Sequence, residues 1–318
     1  MKKFLTLFRK VGGMGIVKEY ARANALHYLC IQILTQGFSK KSLEIARLST
    51  DNLILKRLRK KNKKFIAEFL SDESNLNKQK VAPSKIWVCW FQGMESAPEV
   101  VKVCYDSICR NIKDREVILL TDKNWEKFVE FPSYIQDKIE RGIISKTHMS
   151  DLLRLELLTK YGGTWIDATV FCSGKKIPDY MLNSDLFLFQ NLKPGLDGQS
   201  TRISNWFITS CSNNPMLSLT LNLLYNYWFH YDYIIHYYIF HDFFELAIEA
   251  FPEEWNKVVP FSNSAPHILL LRLFDNFDSK VWDSTLQMTP FHKLSYKFRN
   301  EEFLLEETYY KNIISQME

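Results

Sequence analysis

Glycine and proline are scarce, 11 and 10 in 318 residues, which excludes a collagen repeat and a low-complexity disordered chain. No window holds the roughly 18 uninterrupted apolar residues that a membrane-spanning helix needs. The six cysteines (Cys30, Cys89, Cys104, Cys109, Cys172, Cys211) form no Cys-x-x-Cys pair, and several lie in apolar runs. They are expected as reduced, buried thiols of a cytoplasmic protein, not as disulfides or zinc ligands. Neither Gly-x-Gly-x-x-Gly nor Gly-x-x-x-x-Gly-Lys-Ser/Thr occurs, so dehydrogenase and P-loop chemistry lack support. His236 and His241, five apart, share no helix face, which argues against zinc. His148 and Asp151 have no Ser or Cys nucleophile motif beside them. The start, Met1 to Lys10, carries too short an apolar stretch for a secretion signal. No repeat at solenoid periods is present.

What is present suffices for a folded core: 46% of the chain is hydrophobic and 24% charged. The length fits two average domains, or one large α/β domain with an appendage. The net charge of +5 conceals an asymmetry. Residues 1–80 hold 18 Lys and Arg against 6 Asp and Glu, leaving 23 against 30 in the remainder. Two regions follow: a basic helical extension over 1–80 and a second domain over 81–318. Apolar spacing of three and four from Lys18 to Leu70 predicts helix. Its densest positive run, Lys56 to Lys64, reads as a solvated face, or as a contact for anionic lipid headgroups or a phosphate-bearing acceptor. Nothing in it resembles a nucleic-acid-binding pattern. The protein is therefore expected in the cytoplasm, peripheral on the inner face of the membrane, with no nucleic-acid partner.

Beyond the polar linker Ser71–Ser84, short β-prone runs at 85–91, 116–122, 164–171, 185–190 and 204–209 alternate with helical segments, including one that opens with Pro98 in its first turn. That is the pattern of βαβ units and a largely parallel sheet. Leu217 to Ala250 reads as helix with eleven aromatic residues between Tyr225 and Ile248. These pack on the sheet or offer a sugar-stacking or bilayer-interface surface. His241-Asp242 is placed on the acceptor side.

The segment Lys146 to Val170 is the most informative. Thr147 can cap a helix whose buried face is Met149, Leu152, Leu153, Leu157 and Leu158, and Gly162-Gly163 supplies a left-handed exit. The chain then enters a strand that ends at Asp167. Asp151 and Arg154, three apart, share a helical face. Taken alone they read as a local ion pair. Beside a carboxylate that closes a strand, they can line the crevice beyond the sheet's carboxyl edge, where open α/β sheets bind nucleotides.

Ser150-Asp151-x-x-Arg154 followed by Gly162-Gly163-x-Trp165-x-Asp167 resembles the donor-site motif of glycosyltransferase family 32, the group with α-1,6-mannosyltransferase-like folds. The likeness is closer still to the bacterial capsular polysaccharide synthesis protein family, and large clostridial glucosylating toxins share a related motif. It extends from the strand Ile86 to Gly93, through Ser204 to Ile208 and Asn214-Pro215, to Phe291 to Leu294. It thus covers about residues 85–300 and leaves the N-terminal quarter unexplained.

The resemblance implies a GT-A fold, a Rossmann-like sheet flanked by helices, and retaining transfer of a sugar from a nucleotide-sugar donor to a growing surface polysaccharide, with a lipid-linked acceptor. It puts Trp90 on the donor base and Asp151 and Arg154 on ribose, sugar and diphosphate. Trp165 lies within the donor motif, and Asp167 is the first carboxylate of an Asp-x-Asp metal clamp. Asn205, Gln190 and Asp185 are candidates for the face beneath the anomeric carbon. The second clamp carboxylate is absent, because Thr169 stands in its place. Mg²⁺ or Mn²⁺ would then be held by Asp167, Thr169, His292, water and substrate phosphates. Alternatively Lys293 and Arg154 neutralise the leaving diphosphate. The missing carboxylate also leaves open a catalytically idle nucleotide-sugar or membrane-surface binding module.

Overall fold

The computed structural model describes residues 13–76, 78–192 and 201–315, so the Met1–Lys10 start lies outside the described residues. Three helices open the described residues: α1 (Gly13–Arg22), α2 (Leu26–Gln36) and α3 (Lys40–Ser71). The single helical stretch expected from Lys18 to Leu70 is broken where Asn24 (φ 55°) and Gly37 (φ 83°) turn left-handed, a conformation that no helix continues through. Ser39 restarts the chain by accepting the Ser42 amide, as N-capping serines do.

The sheet is built from β1 (Lys85–Cys89), β2 (Glu116–Leu120), β3 (Gly163–Ile166), β5 (Leu186–Gln190) and β6 (Ile203–Ser210), in the order β2-β1-β3-β6-β5. Helix α4 (Glu99–Asn111) links β1 to β2, and α5 (Lys146–Tyr161) leads into β3. The β1–β2 and β1–β3 pairs are parallel, but β3–β6 and β5–β6 are antiparallel. The sheet is therefore mixed, which corrects the largely parallel expectation. β5 and β6 are joined by roughly a dozen residues, near the minimum for a parallel crossover, and they pair antiparallel. Successive residues face opposite sides. Trp87, Trp165 and Ile208 enter one core with α5, while Ile86, Val88, Ile166 and Phe207 enter a second core with α4.

Ile54, Leu55 and Leu58 of α3 share the first core with Trp228 of α6 (Pro215–His230) and Phe243 and Phe244 of α7 (Ile239–Ala250). Arg59 grips Glu249 with two bonds of 2.7 and 2.5 Å. The aromatic segment forms two helices instead of one. Lys138 donates to the carbonyls of Trp228 and Tyr231, satisfying the end of α6, and the chain resumes as helix only at Ile239. Among the described residues no helix is long and apolar enough to cross a membrane.

Two glycines set the entry to β3. At Gly162 φ is +69° and at Gly163 +110°, and a Cβ on Gly163 would lie 2.5 Å from the Lys85 carbonyl oxygen and 2.9 Å from Trp87 Nε1. Both neighbours are fixed, because Lys85 is in β1 and Trp87 donates to the Gly162 carbonyl at 2.9 Å. Gly163→Ala is expected to destabilise the fold by about 2 kcal/mol or more, from backbone strain and overpacking together. Thermal unfolding of the variant measures this, and an unchanged midpoint would contradict the strain argument.

Candidate active site

The strand expected over 164–171 divides. β3 ends at Ile166, a turn closes through the Val170 amide on the Asp167 carbonyl at 3.0 Å, and β4 (Val170–Cys172) pairs antiparallel with β7 (Phe291–Lys293). The Asp167 amide donates to the Trp206 carbonyl at 2.8 Å, and the Leu294 amide to the Thr169 carbonyl at 2.8 Å. These bonds clamp the turn at both ends and hold the Asp167 carboxylate at the sheet's edge. Helix α5 supplies the second wall. Its cap is Ser145, which accepts the His148 amide, and not Thr147. The five apolar residues expected on its buried face are all buried.

A continuous polar chain crosses the site. Asn205 donates to Asp151 Oδ1 at 3.0 Å. Asp151 forms a tight ion pair with Arg154, whose guanidinium lies 4.8 Å from the Trp165 ring centre and 3.4 Å from Asp167 Oδ1. Trp165 Nε1 donates to the same Asp167 oxygen at 3.0 Å. The Lys293 ammonium donates to Asp167 Oδ2 at 3.0 Å and to Thr169 Oγ1 at 2.5 Å. Burial opposes ionisation of Asp167, but Lys293 and Arg154 outweigh it and hold the carboxyl below its ordinary pKa. Its side chain keeps 28% exposure while Arg154 keeps 5%, so Asp167 faces open space and Arg154 lies behind it.

That space is a crevice with two lobes, of 780 and 860 Å³. Trp90, Gln92 and Tyr296 line the first. Asn205, His236, His241 and Tyr238 line the second, together with Arg47 and Asp51 from α3. Asp167 and Lys293 border both. Trp90 is half-buried, stands edge-on to Tyr296 with 5.4 Å between ring centres, and its Nε1 has no partner among the described residues.

Of the residues expected from sequence, Trp90, Asp151, Arg154, Trp165, Asp167, Thr169, Asn205 and Lys293 come together here. Three do not. Gln190 is buried, its backbone N–H donates to the Phe261 carbonyl, and it lines neither lobe. Asp185 is exposed and pairs with Lys80 at 3.4 Å. His292 has no exposure and lies across the ladder from Phe171; alternation along β7 sends it to the core when Lys293 faces the crevice. His241 lines the second lobe, whereas Asp242 is buried against His236. Sequence reasoning missed Arg47, Asp51 and His236, which reach the lobe from distant segments with no local motif.

The side chains expected to hold a divalent cation do not all converge on one point. Hard cations take several oxygen ligands. Here Asp167 is the one carboxylate of the expected set present, His292 is turned away, and the Asp167 and Thr169 oxygens are already bonded to an ammonium. A second positive centre beside Lys293 would meet repulsion of about 4 kcal/mol per pair of unit charges at 4 Å and an effective dielectric of 20.

The α/β sheet, with helices on both faces, thus carries a charged crevice beyond its carboxyl edge. The model of the capsular polysaccharide synthesis protein family matches residues 33–313, and the chain belongs to that family. The glycosyltransferase class expected from the motifs agrees with this membership. Among solved structures, one described as PaToxG glycosyltransferase is similar, with 17% identity over 83% of this chain and 98% of that one, and a TM-score of 0.36. That overlap is too loose to bear on the fold. No curated protein matches.

Proposed function

We propose that the protein is a retaining glycosyltransferase that moves a sugar from a nucleotide-sugar donor to a capsular polysaccharide unit on a lipid-linked acceptor. The observation that carries this reading is the position of Asp167 and Lys293 at the junction of the two lobes. The donor base and ribose occupy the lobe of Trp90, the acceptor occupies the lobe of Asn205 and Asp51, and the bond that breaks lies between them.

When the bond from the anomeric carbon to the diphosphate oxygen breaks, negative charge grows on the phosphates. The Lys293 ammonium, aligned by Asp167 and Thr169, offers a preorganised cation where that charge develops. Arg154 keeps Asp167 ionised from behind. The acceptor hydroxyl oxygen bonds to the same face of the anomeric carbon, and its proton passes to the departing diphosphate. Asn205, anchored on Asp151, holds the sugar beside that face and removes orientational freedom from the step. On this reading no metal is resident, and the fixed ammonium supplies the countercharge. The basic N-terminal helices bring the enzyme to an anionic membrane surface, where the acceptor resides.

The test is release of nucleoside diphosphate from a panel of nucleotide sugars by the wild-type protein and by Asp167→Ala. Wild-type turnover that falls by about 10²-fold or more in the variant is expected, because the variant frees the cation that the site aligns. No release from any donor, with or without Mn²⁺, would leave a binding module in place of an enzyme.

A further inference from the structure

Apart from the crevice, a cavity of 200 Å³ opens between the end of α1, the middle of α3 and the end of α6. It shares no lining residue with either lobe. None of its thirteen lining residues is acidic, and three are cations: Arg22, Arg57 and Lys61. None of the three is ion-paired with a carboxylate among the described residues. Each is instead held by a neutral group. Arg22 lies 5.0 Å from the Tyr233 ring centre, Lys61 lies 4.1 Å from that of Tyr231, and Arg57 donates to the Ala23 carbonyl. The rings and the carbonyl fix these side chains around the cavity and leave the positive charge unneutralised.

We propose that this cavity is a binding site for a phosphate group, separate from the sugar-transfer crevice and independent of the transferase reading. Cations of this kind recognise phosphate by charge and by the guanidinium fork. Asn226 and His230 add polar groups to the wall, and Ile54, Leu58 and Ile235 give it an apolar floor. Partial desolvation lowers the Lys61 ammonium below its ordinary pKa, a strain that a bound anion relieves. Phe229, 63% exposed beside His230, adds an apolar side chain near this wall. A phosphate carried on a lipid headgroup and a free phosphate share this chemistry.

The experiment compares two doubly substituted proteins of equal charge. In Arg22→Gln/Lys61→Gln the cavity loses two cations. In Lys60→Gln/Lys63→Gln two cations outside the cavity are lost, exposed as Arg22 and Lys61 are. Co-sedimentation with vesicles containing phosphatidic acid, and thermal shift with inorganic phosphate, are measured on the full chain. Each juxtaposed cation contributes a factor of about five at such a surface, so the cavity variant should lose about 30-fold in vesicle affinity. The control should lose clearly less. Vesicle binding lost only in the cavity variant establishes a headgroup site. No vesicle binding, with phosphate stabilising the wild type but not the cavity variant, establishes a soluble phosphate site. Equal losses in both variants, or no response of the wild type to either probe, would overturn the proposal. Unchanged unfolding midpoints without ligand confirm that both variants fold.

Discussion

Lys293→Ala should lower kcat by about 10²–10³-fold, the usual cost of removing one preorganised donor at a site of developing charge. The fold should survive. The Lys293 side chain is 19% exposed, and its strand partner Val170 is held through the backbone. Asp167 would retain Trp165 and Arg154 as partners. KM for the donor should rise less than kcat falls, because the charge that Lys293 meets is largest in the transition state. Lys293→Arg should recover little, since a planar fork cannot take the place of a point charge between Asp167 and Thr169. Steady-state release of nucleoside diphosphate, measured in excess chelator, gives both results at once. Chelator should leave wild-type turnover unchanged. A wild-type enzyme silenced by chelator, together with a Lys293→Ala protein of normal activity, would remove the ammonium from the mechanism.

The second large effect concerns stability. His236 is buried between two carboxylates, with Asp242 Oδ2 2.5 Å from Nδ1 and Asp51 Oδ1 3.4 Å from Nε2. Tyr20 of α1 donates to Asp51 Oδ1 at 3.0 Å. Burial alone would lower the imidazole pKa, but Asp242 and Asp51 outweigh it and raise it to about 10. The cluster ties α1 and α3 to the start of α7. Asp242→Ala would leave a buried imidazolium with one distant partner, at a cost of about 3–5 kcal/mol. The pH dependence follows in sign. A folded-state pKa above the ordinary histidine value gives a contribution that is complete below about pH 6.5 and lost as pH rises through about 10. Lysines and tyrosines titrate over the same alkaline range, so the difference between wild type and His236→Gln is the informative quantity. Chemical denaturation from pH 6 to 10 should show that difference shrinking as pH rises. A constant difference would mean that His236 is neutral throughout.

Much of the site could be read from local pattern. The apolar spacing of α5, the glycine pair behind it and the strand that follows are signals confined to neighbours in the chain, and Asp151, Arg154, Trp165 and Asp167 all lie within that stretch. Lys293 and His292 were harder to separate. β7 has three residues, too few for a visible alternation, so only the sheet shows which side chain faces the crevice. Gln190 shows a related limit: its strand was foreseen, but the face it presents depends on pairing with β6. The antiparallel half of the sheet could have been suspected from Pro194-Gly195 and Asp197-Gly198, turn dipeptides between β5 and β6, but the pairing of β6 with β3 left no local trace. Arg47 and Asp51 stand one turn apart on α3, but they meet His236 only through tertiary packing. The excess of lysine and arginine in the first eighty residues pointed to a surface role and gave no sign that α3 also walls the second lobe.

Helix α3 borders the second lobe at Arg47 and Asp51 and the basic cavity at Arg57 and Lys61. At about 1.5 Å per residue, Asp51 and Lys61 stand about 15 Å apart along one uninterrupted rod. That rod is a ruler. Any one molecule that touched both marks would have to span at least that length.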